Sequence, residues 1–201
     1  MNEVASSPGR LARQIAFIVE IDKLKQVLRQ TILVDRSRRE NDAEHSWHIA
    51  TMVVVLDEYA EPEVDRLRVL KMLLIHDIVE IDAGDTFLYD TAHAASQAAR
   101  EQAAAARLYG LLPPDQGAAL RALWDEFEAG ETRDARFAKA LDRLQPMLHN
   151  LHTEGAMWRA HGVTAADVLA RNAVMARGSP ALWEYAQALV HDAVKKGWLA
   201  P

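Results

Sequence analysis

Apolar residues recur along this chain at three- and four-residue spacing and rarely alternate with polar ones, so the pattern predicts helices almost throughout. The segment QIAFIVEIDKLKQVLRQ sets Ile15, Ile18, Ile21, Leu24 and Leu28 at helical spacing, with Asp22 as a point where that helix can break. A second helix is predicted from RRENDAEHSWHIATMVVVLDEYA, in which Asn41 precedes Glu44 by three residues. That is the spacing of a reciprocal cap, with Asn in place of the usual Ser or Thr. DRLRVLKMLLIHDIVEI is predicted to start a third helix after Pro62 and to stop near Gly84, a residue suited to a left-handed cap.

The remaining pattern is helical as well. TAHAASQAAREQAAAARLYGLL predicts a long Ala-rich helix ending at Gly110, and PPDQGAALRALWDEFEAG one that opens at Pro113 and Pro114 and ends at Gly130. ETRDARFAKALDRLQPMLHNLHTEG predicts another, kinked or divided by Pro146, and two shorter helices are expected near residues 164–176 and 180–196. No repeat, linker or low-complexity stretch separates a second unit. The expectation is one all-α domain over residues 1–201.

Composition narrows the chemistry. Half of the 201 residues are hydrophobic, enough for a substantial core, and the net charge of −6 gives no global field that attracts a nucleic acid polymer. The sequence has no cysteine, so any metal must be held by nitrogen and oxygen donors. MNEVASSPGRLARQ lacks the basic-then-apolar layout of a signal peptide, and no apolar run approaches the roughly 18 residues of a membrane span. A cytoplasmic protein with no membrane partner is the expectation.

The stretch LLIHDIVEIDAGD departs from this ordinary picture, because an apolar run stops at His76 and Asp77 and then adds Glu80, Asp82 and Asp85. On a helix Glu80 shares the side of His76 and Asp77. Carboxylates in an apolar run are costly unless paired or bound to a cation, which favours a cation site. Further donors must come from elsewhere, and His45 and His48 in EHSWH and Asp142 in AKALDRL are the candidates. If Asn41 caps its helix, His45 lies in the first turn, where the positive end of the helix dipole favours the neutral imidazole that binds metal. His45, His76, Asp77 and Asp142 would together make an N₂O₂ set suited to Mn, Fe, Co, Zn or Mg.

The order His, then His-Asp, then Asp resembles the HD-domain metal-dependent phosphohydrolases, and most of all their 5′-deoxynucleotidase branch. EHS opens one helix, HDxxE ends the next and a late helical Asp follows, with the likeness spanning roughly residues 22–150. Arg29 in VLRQT matches that branch's Arg on the first helix, and Gly84-Asp85 matches its Gly-Asp after the HD helix. Where related nucleotidases often carry Trp after the Arg, this chain has Gln30. The resemblance implies a helical HD bundle and one divalent metal held by His45, His76, Asp77 and Asp142. It implies that Glu80 transfers protons beside a metal-bound water, that Asp85 orients that water or the sugar, and that Arg29 meets the phosphate. It also implies a homodimer whose substrate is a small phosphorylated molecule, a nucleoside 5′-monophosphate.

Other residues carry less. Arg38 and Arg39 are candidate phosphate contacts, equally readable as an exposed basic turn. His48 reads as packing or support, His149 and His152 as core or surface, Glu44 as a cap and Asp82 as a solvated helix-end residue. Two rival functions stand beside the leading one: an HD hydrolase of a nucleoside triphosphate, cyclic nucleotide or phosphorylated metabolite, and a metal- or nucleotide-binding module without turnover. Glu80 and Asp85 argue against the second, which would not require them.

Overall fold

The computed structural model describes residues 9–89 and 94–201. Helix α1 (Arg10–Glu20) runs into a 3-10 turn (Ile21–Gln26), after which the chain straightens into an antiparallel ribbon of β1 (Leu28–Ile32) and β2 (Arg39–Asn41). The expected helix over 14–30 therefore ends early, and Arg29 stands on a strand. The local composition explains the correction: Val27, Thr31, Ile32 and Val34 are β-branched and fit a pleated surface better than a helix. The fold is all-α in class, and this ribbon is the only sheet among the described residues.

The ribbon is irregular. Leu28 faces Asn41 and Ile32 faces Arg39, so four steps along β1 oppose two along β2 and the residues between them bulge. Bulges of this kind re-aim side chains, and Arg29 lies within this one.

α2 (Asp42–Val55) begins at the predicted cap. The Asn41 side chain accepts from the Glu44 N–H at 3.0 Å, and the Glu44 carboxylate accepts from the Asn41 N–H at 3.3 Å. α3 (Arg66–Ile75) leads into the HD stretch, where the single predicted helix is divided into a 3-10 turn (His76–Val79) and a one-turn α4 (Glu80–Ala83) that closes at Gly84 with φ +77°.

The cause of the division lies in α5 (Ala94–Tyr109) and α6 (Pro114–Ala129). The Tyr109 hydroxyl donates to the Ile75 carbonyl at 3.0 Å and Trp124 Nε1 to the His76 carbonyl at 3.2 Å. Two carbonyls at the start of the turn are thus taken by buried aromatic side chains, and the Glu80 N–H bonds to Asp77 O instead. The expected start of α5 at residue 91 lies outside the described residues. Its end beside Gly110 agrees with the pattern, as does the end of α6 at Gly130 with φ +62°.

α7 (Arg133–His152) continues through Pro146 without dividing. Its Phe137, Leu141 and Leu144 join Ile49 of α2 and Met72 and Leu73 of α3 in one buried core, and α7 packs on both helices. Four helices follow where two were expected: α8 (Ala156–Ala160), α9 (Ala165–Asn172), α10 (Met175–Gly178) and α11 (Pro180–Lys195). Among the described residues no helix is long and apolar enough to cross a membrane.

Tyr109→Phe keeps the ring and removes only the donor that holds the Ile75 carbonyl. It should cost about 1–3 kcal/mol, read as a lower urea midpoint at unchanged slope; an unchanged midpoint would show that this bond does not hold the turn.

Candidate active site

A cavity of about 220 Å³ is lined by the β1 bulge, by the 3-10 turn and the loop after α4, and by α7. His76, Asp77, Glu80 and Asp142 form one side of it. His45 arrives from the first turn of α2, wholly buried, with Nε2 3.0 Å from Asp142 Oδ1. His76 Nδ1 donates to the Leu73 carbonyl at 2.9 Å, a bond that fixes the ring proton on Nδ1 and frees Nε2. That Nε2 lies 3.0 Å from Asp77 Oδ1 and 3.7 Å from Asp142 Oδ1, yet it is buried and makes no hydrogen bond. One nitrogen of each ring and one Asp142 oxygen lie within 4.8 Å of one another.

A second group adjoins the first. Carboxylate oxygens of Asp42, Asp77 and Glu80 also lie within 4.8 Å of one another, and Asp42 Oδ2 and Glu80 Oε2 are buried without a hydrogen-bond partner. Arg29 enters from the bulge. Its Nη1 donates to Asp77 Oδ2 at 2.8 Å and to Asp42 Oδ1 at 3.3 Å, while its Nε lies 3.8 Å from Glu40 Oε2.

These contacts push the titrations apart. Burial lowers the pKa of His45 to about 4, with the Arg29 charge adding to it, so this ring is neutral at pH 7. Burial opposes charge on His76 too, but Asp77 and Asp142 outweigh it and raise its pKa to about 10. Asp77 is held down to about 2 against its burial by His76 and Arg29. Burial raises Asp42 to about 7 and Glu40 to about 7, and burial with the charges of Asp77 and Asp42 raises Glu80 well above the ordinary carboxylate range. Without a cation, this interior holds its charge in check with protons and one guanidinium.

The residues fit a divalent metal ion. Two imidazoles and several carboxylates supply nitrogen and oxygen donors, and the orphaned His76 Nε2 is a buried nitrogen facing two of those carboxylates, where a metal would take the place of its proton. The donor chemistry does not select among the metals.

The structure brings His45, His76, Asp77 and Asp142 together, with Glu80 adjoining them. Asp85 and Arg29 line the same cavity. Arg38 and Arg39 do not. Arg38 is exposed and pairs with Glu44 at 2.6 Å, and Arg39 bonds to Gln30. Lys139 and Arg143 line the cavity instead. Asp82 pairs with Arg107, and Glu44 is the predicted cap.

Three buried polar residues escaped the sequence reading. Asp42 looks like an ordinary acid in a helix first turn, and Glu40 sits within the charged run RREN, which reads as solvated. Gln145 had a usable signal, since it is three residues past Asp142 and so shares its helix face.

Fold and site together define a helical protein built around a candidate divalent-metal centre. A family model described as "HD domain" matches residues 21–183, and the chain belongs to that family. It is 30% identical over 148 residues to the 5'-deoxynucleotidase HDDC2 of Bos taurus, a match covering 72% of this chain and 70% of that protein. It is 28% identical over 146 residues to the protein of the same name from Homo sapiens, with 72% and 70% covered. A crystal structure of a predicted metal-dependent phosphohydrolase from Magnetospirillum magnetotacticum MS-1 superposes with a TM-score of 0.93 at 63% identity, covering 96% of each chain.

Arg29→Met removes the guanidinium that pairs with Asp77 and Asp42. In metal-free protein this should cost about 3–5 kcal/mol, the range for breaking a buried pair from one side. Urea unfolding with chelator present measures it; wild-type stability would mean that the carboxylates need no guanidinium.

Proposed function

We propose that the protein is a metal-dependent phosphomonoesterase that releases phosphate from a nucleoside 5′-monophosphate, preferentially a deoxynucleotide. The observation that carries this reading is the meeting of His45, His76 and Asp142 beside Asp77 on a cavity that also holds Arg29, Lys139 and Arg143. The names of the curated relatives supply the nucleotide. His45, His76, Asp77 and Asp142 would hold the metal. When bound there, a divalent ion supplies Lewis acidity toward a phosphoryl oxygen and lowers the pKa of water.

The chain's own groups do the rest. Arg29, Lys139 and Arg143 offer positive charge to the non-bridging phosphate oxygens, whose negative charge is then compensated inside the cavity. Arg29 is already oriented by Asp77 and Asp42. Glu80 moves a proton between the attacking water and the leaving oxygen; it lines the cavity beside Asp77, where it can reach a water at the metal. Asp85 orients the sugar or the water. Phe87, Tyr89, Met157 and Trp158 line the same cavity and form an apolar wall for the departing nucleoside. We place the protein in the cytoplasm.

Protein loaded separately with Mn²⁺, Co²⁺, Mg²⁺ or Zn²⁺ and offered a panel of nucleoside 5′-monophosphates should release phosphate. No release with any of these ions would overturn the reading. His76→Ala or Asp77→Ala should lose both metal and activity while staying mostly helical, as elemental analysis and circular dichroism would show.

Glu80→Gln keeps the shape of the side chain and removes the proton carrier. Its kcat should fall by roughly 10²–10⁴-fold with metal retained. Unchanged turnover in the fully metallated variant would end the proton-transfer role.

The same reading includes a homodimer. Leu11, Ile15 and Ile18 of α1, Trp47 and Val54 of α2 and Leu67 and Leu74 of α3 are exposed apolar residues repeated at helical spacing. Exposed apolar stripes of that kind offer surface for association. Light scattering should give twice the 22.4 kDa chain mass at micromolar concentration, and a monomer alone would contradict it.

A further inference from the structure

We infer that Gln145 is the positioning residue for His45: its amide oxygen receives the Nδ1 proton and so turns the Nε2 lone pair toward Asp142 and His76. This rests on the reading of His45 as a metal ligand and deepens it.

Gln145 is wholly buried, three residues beyond Asp142 on α7. Its two amide ends are told apart by what faces them. Nε2 lies 2.6 Å from Glu40 Oε1, 3.1 Å from His149 Nε2 and 3.2 Å from His48 Nδ1. When Glu40 is ionised its oxygens only accept, so the end facing it is then the nitrogen. His149 agrees independently: its Nδ1 is 3.1 Å from the Ile32 carbonyl, which also only accepts, so its Nε2 presents a lone pair to the Gln145 nitrogen. The amide oxygen is then the atom 3.2 Å from His45 Nδ1.

A neutral imidazole has one proton, and two acceptors compete for that of His45. Gln145 Oε1 stands at Nδ1, and Asp142 Oδ1 stands 3.0 Å from Nε2. A proton on Nε2 would block the nitrogen that faces the cavity donors and would set the Nδ1 lone pair against the amide oxygen. Gln145 therefore favours the metal-binding tautomer. His76 obtains the same result from a backbone carbonyl, that of Leu73, which no substitution removes. His45 depends on a side chain.

Oxygen and nitrogen atoms of Glu40, His48 and His149 converge to within 4.8 Å, which is also the spacing of a cation site. The Gln145 amide nitrogen already sits among them. The trio is the anchor that sets the direction of this amide, and it accounts for two histidines that the reaction does not use.

The test measures Co²⁺ affinity, by competition with a chromophoric chelator, together with melting temperature, for wild type, Gln145→Met, Gln145→Glu and His45→Ala. Gln145→Met should lose roughly 10–100-fold in affinity, the range for removing the partner that orients a metal-bound histidine. Gln145→Glu keeps an oxygen at the same place and should recover most of that loss. A Gln145→Met protein with a lowered melting temperature and wild-type Co²⁺ affinity would overturn the inference, because the residue would then be merely structural. Undiminished affinity in His45→Ala would overturn the metal-ligand reading itself, and this inference with it. Should Gln145→Met fail to fold, Gln145→Glu decides: retained affinity supports the oxygen's role, and a tenfold loss at unchanged melting temperature overturns it.

Discussion

The structure depends above all on how this protein keeps charge in its interior. Asp42, Asp77, Glu40 and His45 are buried, and Glu80 and Asp142 border them. Moving one uncompensated ion out of water costs several kcal/mol, so such a cluster persists only with opposite charge or protons inside it. Arg29 is the guanidinium that reaches Asp42, Asp77 and Glu40. The ribbon and its bulge carry that side chain into the cluster.

This explains what the sequence could and could not reveal. Helix ends marked by local chemistry were legible: the Asn41–Glu44 cap, Gly84, Pro114 and Gly130 each act through atoms a few residues apart. So was the ordered set His45, His76, Asp77 and Asp142, because donor types and their order survive any detail of packing. Arg29 on a strand was not legible, since the pairing that fixes β1 comes from residues 39–41 and the apolar spacing before it suits a helix equally well. The division of the HD helix was hidden for a similar reason. Its causes, Tyr109 and Trp124, lie 34 and 48 residues away from the carbonyls they hold. Asp42, Glu40 and Gln145 were hidden because polar residues declare their burial only when the elements above them are in place.

The cavity divides along the chain in the same way. Its charged side comes from the β1 bulge, the 3-10 turn and α7, where the motifs are. Its far wall comes from the loop after α4 and from α8 and α9, through Phe87, Tyr89, Trp158 and Asn172, where no motif was found. The donor cluster and the aromatic wall thus reside in separate stretches, one constrained by donor geometry and the other by shape.

The aromatic hold on the HD turn has a consequence for anyone building with this motif. His76 and Asp77 are aimed by side chains of two other helices, so the dipeptide is not a portable unit. Transplanted onto an ordinary continuous helix, the same letters would point about 100° apart around its axis with every carbonyl already satisfied. A graft would have to bring a tyrosine and a tryptophan from two neighbouring helices as well, and a redesign of the α5–α6 core would retune the site without touching a single residue that lines it.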